Sequence, residues 1–191
     1  MEVQTKHMNN TAEIAAKFAL EEIAGVVEPA TEAILRKAGA AGLCGIGLPE
    51  EYGGSGGGSA EIMNAVRILT RCGGDAGIAF SLSYHLSVQH FLVYAFANEQ
   101  QKGQYLRELA GGRITSGLAV SEPGSGAHPK HLKATAEKTG DSYMLKGEKT
   151  FLTNGTFLDY FIFIAQTGFE NGKKIFNAFL VPANLPSLKK T

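Results

Sequence analysis

Two short runs hold most of the residues that could do chemistry. The first, Leu118-Ala119-Val120-Ser121-Glu122-Pro123-Gly124-Ser125-Gly126-Ala127-His128, carries an apolar strand into a glycine loop. Glycines let such a loop turn sharply and bring backbone N–H groups against a ligand. It can cradle a phosphate or the edge of a flat heterocycle without a charged side chain. The second run, Gly147-Glu148-Lys149-Thr150-Phe151-Leu152-Thr153-Asn154-Gly155, reads as another strand over 149–153. Period-two geometry puts Phe151 and Thr153 on one face of it. Glu122 has no second acid or base beside it, so it reads as a carboxylate that holds its loop through backbone N–H groups. His128 and His131 form His-x-x-His, with only Glu122 nearby in sequence as a third ligand, so no metal site is expected. His85 and His90 fall on different faces of a helix and read as buried or half-buried residues. No catalytic residue is nominated.

These runs need elements to position them. Asn10 with Glu13 has the form of a helix N-cap and its reciprocal partner, opening a helix to about Ile23 that Gly25 and Pro29 break. A second helix is expected from near Glu28 to Gly42, with Ile34, Leu35, Ala38 and Ala41 on one face. The run Gly42 to Gly54 reads as an extended connector closed by a flexible glycine loop. Ser59 can cap a third helix, which Gly73-Gly74 stop. Asp75 opens the most apolar segment, 76–97, where His85, Gln89, His90 and three serines argue for the buried centre of a bundle over a membrane span. Asn98 with Gln101 repeats the capping pattern for a helix ending at Gly111-Gly112. The pattern then alternates. Strands are expected at 114–120, 131–138, 142–146, 149–153, 158–166 and 175–181, with turns at Gly140-Asp141 and Asn171-Gly172.

The two runs, with Pro49-Glu50-Glu51-Tyr52-Gly53-Gly54 and Glu99-Gln100-Gln101-Lys102 before Tyr105-Leu106, resemble the acyl-CoA dehydrogenase family. Its middle domain carries a Thr-Glu-Pro-x-x-Gly-Ser-Asp loop and a Gly-x-Lys-x-Trp-Ile-Thr-Asn strand. The resemblance runs from about Asn10 to the end of the chain and implies an α+β architecture. An N-terminal all-helical bundle, 1–112, would precede an incomplete antiparallel β-barrel domain, 113–191, and the family's C-terminal helical domain would be absent. It implies FAD as cofactor, held by Leu118, Val120, Ser121, Gly126, Ala127, Phe151 and Thr153. Ser121 stands for a threonine that meets the flavin's pyrimidine edge, and Thr153 for the threonine at flavin N5. Ala127 replaces a serine that contacts the pyrophosphate, His128 an aspartate and Phe151 a tryptophan. The helix containing Phe80 to Gln89 would lie near the acyl chain.

The implied chemistry is removal of a proton α to an acyl-CoA thioester and transfer of the β-hydride to the flavin, with a flavoprotein as electron acceptor. The family's carboxylate base belongs to the C-terminal domain, so the chain is expected to be a fragment or partial subunit, not competent alone. A flavin oxidase or hydroxylase on the same scaffold and a flavin-free interaction subunit are the alternatives.

Composition narrows the setting. The 191 residues are 44% apolar with zero net charge, as for a folded globular chain rather than a disordered one. That balance, without a long basic run, argues against nucleic acid as the main partner. Cys44 and Cys72 are no disulfide framework, and the N-terminus lacks the apolar core of a secretory signal. A reducing, cytoplasmic setting is expected, and the family resemblance implies a homo- or hetero-oligomer.

Overall fold

The computed structural model describes residues 2–26 and 32–190. The chain divides into two compact units, Met1–Ser116 and Gly117–Thr191. The first is helical: α1 (Glu2–Phe18), α2 (Glu32–Ala40), α3 (Ser59–Gly73), α4 (Ala76–Ser87) and α5 (Glu99–Ala110). Single π turns, Ala19–Ile23 and Val88–Tyr94, extend α1 and α4. The second unit carries the sheet, with β1 (Ser116–Ala119), β2 (Thr135–Thr139), β3 (Ser142–Lys146), β4 (Tyr160–Glu170) and β5 (Lys173–Pro182).

In the helical unit α1 packs on α3 and α3 on α4, and Leu35, Leu43, Ile46, Leu69, Leu82, Leu86, Leu106 and Leu109 are buried in its core. Three start signals explain where its helices begin. Asp75 Oδ1 accepts the Ile78 N–H at 2.7 Å, and Asn98 with Gln101 closes a reciprocal capping box. At α3 the cap differs from the expected Ser59. Ser59 is already helical, and Glu61 accepts the free N–H of Gly58 at 2.7 Å. Asn10 is no cap either, because α1 already runs through it from Glu2. The polar first turn of the sequence reading is the middle of a longer helix. The expected breaker Pro29 and the expected start of α2 at Glu28 lie outside the described residues.

In the second unit β2 and β3 form an antiparallel hairpin around Gly140-Asp141. Antiparallel β4 and β5 turn at Asn171-Gly172, whose φ values of +50° and +73° suit that turn. β1 and β2 also pair with β4, giving one open five-stranded sheet. The β2–β4 contact is parallel, through Thr135 and Gln166, so the sheet is mixed rather than wholly antiparallel. Its buried side holds Ala119, Ala134, Ala136, Leu158, Phe161, Phe163, Ala165 and Val181.

One expected strand is missing. Residues 149–153 form no ladder, because Phe151 sits at φ +55° and residues 153–157 turn. A left-handed residue breaks the alternation of sides, so the argument that put Phe151 and Thr153 on one strand face does not hold. The expected strand at 131–138 also starts late: Pro129–His131 is a 3-10 turn and pairing begins at Thr135.

Among the described residues no helix is long and apolar enough to cross a membrane.

Candidate functional site

The glycine loop and the second run, more than twenty residues apart in sequence, are tied together by a buried ion pair. Lys149 Nζ lies 2.8 Å from Glu122 Oε1, and both side chains are only 5% exposed. The same ammonium donates to Val120 O at 3.0 Å and sits 5.0 Å from the centroid of the Phe163 ring. Glu122 also accepts the N–H groups of Lys133 at 2.6 Å and Ala134 at 2.9 Å. The carboxylate thus holds the loop through backbone N–H groups, as its sequence context implied.

Burial alone would raise the pKa of Glu122. The Lys149 hydrogen bond and the two backbone N–H groups outweigh it and hold the carboxyl below its ordinary value. Such a group stays ionised and fully occupied at neutral pH. It is an anchor, not a base.

The glycine loop closes on itself through paired backbone hydrogen bonds between Glu122 and Gly126, at 3.1 and 3.2 Å. Ser121 O accepts the Thr150 N–H at 2.9 Å, so the residue before Phe151 is stitched directly to the loop. Thr150 Oγ1 is buried without a hydrogen-bond partner, whereas the Phe151 ring is 96% exposed. A bulky side chain at positive φ and fully in solvent is an outlier that needs a reason beyond packing.

Thr153 is half-buried in the turn after Phe151, and its carbonyl lies close under β1. A Cβ at Gly117 would come within 2.9 Å of Thr153 O, so glycine there permits the approach. Gly147 works in the same way: its φ of +148° and a clash at 2.6 Å with Ala134 Cβ exclude a side chain.

The Thr150–Ser121 hydrogen bond and the Lys149–Glu122 pair thus hold the segment that carries Phe151 and Thr153 against the strand end at Ser121. Leu118 and Val120 are half-buried on the strand and its continuation, and Gly126 and Ala127 are exposed on the loop. Lys149 is the residue that sequence reasoning passed over. Its signal was present: the one basic residue of its run, two residues before Phe151, with Glu122 unpartnered in the other run.

His85 is fully buried in the helical unit. Its Nε2–H donates to Leu109 O at 3.0 Å, and its Nδ1 accepts from Ser116 N at 3.3 Å and stands 3.1 Å from Ser116 Oγ. Burial pushes its pKa down, and the Leu109 carbonyl only partly offsets this. It is a neutral structural histidine. Among the described residues no cluster of three His, Cys, Asp or Glu could hold a metal.

Two family models match the chain: the acyl-CoA dehydrogenase N-terminal domain over residues 5–113 and the middle domain over 117–191. An acyl-CoA dehydrogenase of Bacillus subtilis (strain 168) is 35% identical over 175 residues, covering 88% of this chain and 46% of the relative. The structure of butyryl-CoA dehydrogenase from Megasphaera elsdenii superposes with a TM-score of 0.86 at 27% identity, over 94% of this chain and 49% of the other. A glutaryl-CoA dehydrogenase from Mycobacterium smegmatis in complex with FADH2 gives 0.83 at 26% identity, over 94% and 46%. The chain spans about half the length of these relatives. With both family models matched in order, and with the glycine loop and the Lys149–Thr153 run joined in the fold, the chain belongs to the acyl-CoA dehydrogenase family.

Proposed function

We propose that this chain is the flavin-seating part of an FAD-dependent oxidoreductase that dehydrogenates the α,β bond of acyl-CoA thioesters. The observation that carries the reading is the junction of the two runs through Glu122–Lys149 and Ser121–Thr150, in a chain of this family. A relative of the same fold holds FADH2, and the residues here fit such a group. Phe151 offers a free aromatic face beside the exposed glycine loop, and Thr150 Oγ1 is a buried polar atom still lacking a partner. When bound, FAD supplies the acceptor for the β-hydride.

The side chains would divide the work. Phe151 would cover the ring's apolar face, and the Ser121 and Thr153 hydroxyls would meet its polar edge. Leu118 and Val120 pack beside it, while Gly126 and Ala127 bring backbone N–H groups to the diphosphate. A flavoprotein would serve as the electron acceptor. The α-proton needs a base that Glu122 cannot be, since Lys149 and two N–H groups occupy it. By the family resemblance the base would stand in the C-terminal helical domain, which neither matched family model covers. Unpaired Cys44 and Cys72 suit a reducing compartment such as the cytoplasm.

The test is optical. Adding an acyl-CoA thioester anaerobically to the FAD-loaded chain should perturb the flavin spectrum without turnover. A spectrum indifferent to the thioester would count against the substrate class, and turnover by the chain alone would overturn the assignment of the base elsewhere. A flavin-free interaction subunit is the reading favoured by Ala127, which offers no hydroxyl to a diphosphate. Its mark is a stable chain that takes up no FAD.

A further inference from the structure

We infer that the segment His128–Lys133, which leaves the glycine loop, is an anion clamp for a phosphate or diphosphate group. This deepens the proposed function and rests on it for the identity of the ligand. Six consecutive residues carry two histidines and two lysines in a chain of zero net charge. His128, Lys130, His131 and Lys133 are all exposed, and among the described residues neither lysine forms an ion pair. The one carboxylate holding the segment, Glu122, is already neutralised by Lys149 at 2.8 Å. Lys174 Nζ approaches from β5 and donates to Leu132 O at 2.7 Å, adding a further cation behind the segment.

The ring geometry selects an anion over a metal. His128 Nδ1 accepts the Lys130 N–H at 3.3 Å, so the neutral imidazole carries its proton on Nε2 and presents a donor. The His131 ring lies beside it with centroids 5.2 Å apart. The lysine ammonium groups of this segment and the imidazole N–H donors disfavour a metal cation, and one ring nitrogen is already committed. Together they match the several oxygens of a phosphate. The backbone is pinned beneath them, because Glu122 holds the N–H groups of Lys133 and Ala134. A clamp on a fixed backbone loses little conformational freedom on binding.

FAD and coenzyme A thioesters both carry such groups, and paired ligands separate them. The full chain is titrated with inorganic diphosphate while the imidazole NMR signals of His128 and His131 are followed. FAD against riboflavin, and coenzyme A against pantetheine, are then titrated into the wild type, His128→Ala and the double variant Lys130→Gln with Lys133→Gln. The lysine changes are on the surface, so they report binding even where His128→Ala disturbs the turn. Diphosphate should move both histidine signals, and less so as salt rises. The variants should lose about tenfold or more in affinity for one phosphate-bearing ligand and nothing for its phosphate-free partner. Loss for FAD assigns the clamp to the flavin diphosphate, and loss for coenzyme A to the substrate. Unmoved histidine signals, or equal affinities in folded variants, overturn the clamp. If the wild type takes no flavin while diphosphate moves both histidines, the flavin reading fails and the clamp stands.

Discussion

Two of the buried polar groups, His85 in the helical unit and the Glu122–Lys149 pair in the sheet unit, are built on opposite principles. In the helical unit, His85 is neutral and satisfied by the Leu109 carbonyl and by Ser116, tying α4 to the end of α5 and to the last residue of that unit. In the sheet unit, Glu122 and Lys149 are both charged, and each also bonds backbone. A neutral buried group costs little to hold once its hydrogen bonds are made. A buried ion pair fixes geometry well, but removing one partner strands the other. The charged centre therefore stands where two distant runs must keep register, and the neutral one where helices already pack. Mutation and acid should expose the difference.

The largest effect should come from Lys149→Met, which leaves Glu122 buried without its cation. Denaturant melting of the sheet unit should show a loss of about 3–5 kcal/mol. Adding Glu122→Gln should recover part of it, because an amide carries no charge to strand. Equal melting of Lys149→Met and wild type would reduce the pair to a bystander.

His85→Leu should cost less, about 1–3 kcal/mol, since it leaves a buried carbonyl and a buried N–H unpaired but no charge. The two centres also respond to different acid ranges. The pKa of His85 is depressed in the fold, so its contribution is whole above the unfolded value of 6.5 and fades as pH falls below it. Glu122 is depressed as well, so its contribution is whole above 4.5 and fades only below that. Amide protection factors around Ser116, with intrinsic exchange divided out, should therefore fall on acidification before those around Ala134, and His85→Leu should flatten the first response. Loosening of the sheet unit first would contradict the comparison.

The smallest effect should be Phe151→Gly. A left-handed, fully exposed phenylalanine carries strain without packing, so the variant should gain up to about 1 kcal/mol in stability while losing flavin affinity. A variant that binds FAD as well as wild type would remove Phe151 from the site.

Much of this was legible in the sequence because local signals agreed with the fold. Asp75, Asn98 with Gln101, Gly74 and Asn171-Gly172 mark their boundaries by capping and turn chemistry alone. What was not legible depends on partners distant in the chain. The middle of α1 carries a cap-like Asn10 because nothing local distinguishes a first turn from an inner one. Residues 149–153 have strand composition, yet Lys149 is drawn to Glu122 and Thr150 to Ser121, and the chain then turns at Phe151. Composition cannot report a buried ion pair across more than twenty residues. The family motifs include the positions of Glu122 and Lys149 but do not say that the two pair.

The most direct test of the account is a titration of FAD into the full chain, followed by flavin fluorescence, with Lys149→Met as the comparison at a temperature where both are folded. The account predicts saturable, stoichiometric binding to the wild type and weakened binding when the two runs are no longer pinned. A folded wild type that shows no saturable uptake of FAD would contradict it.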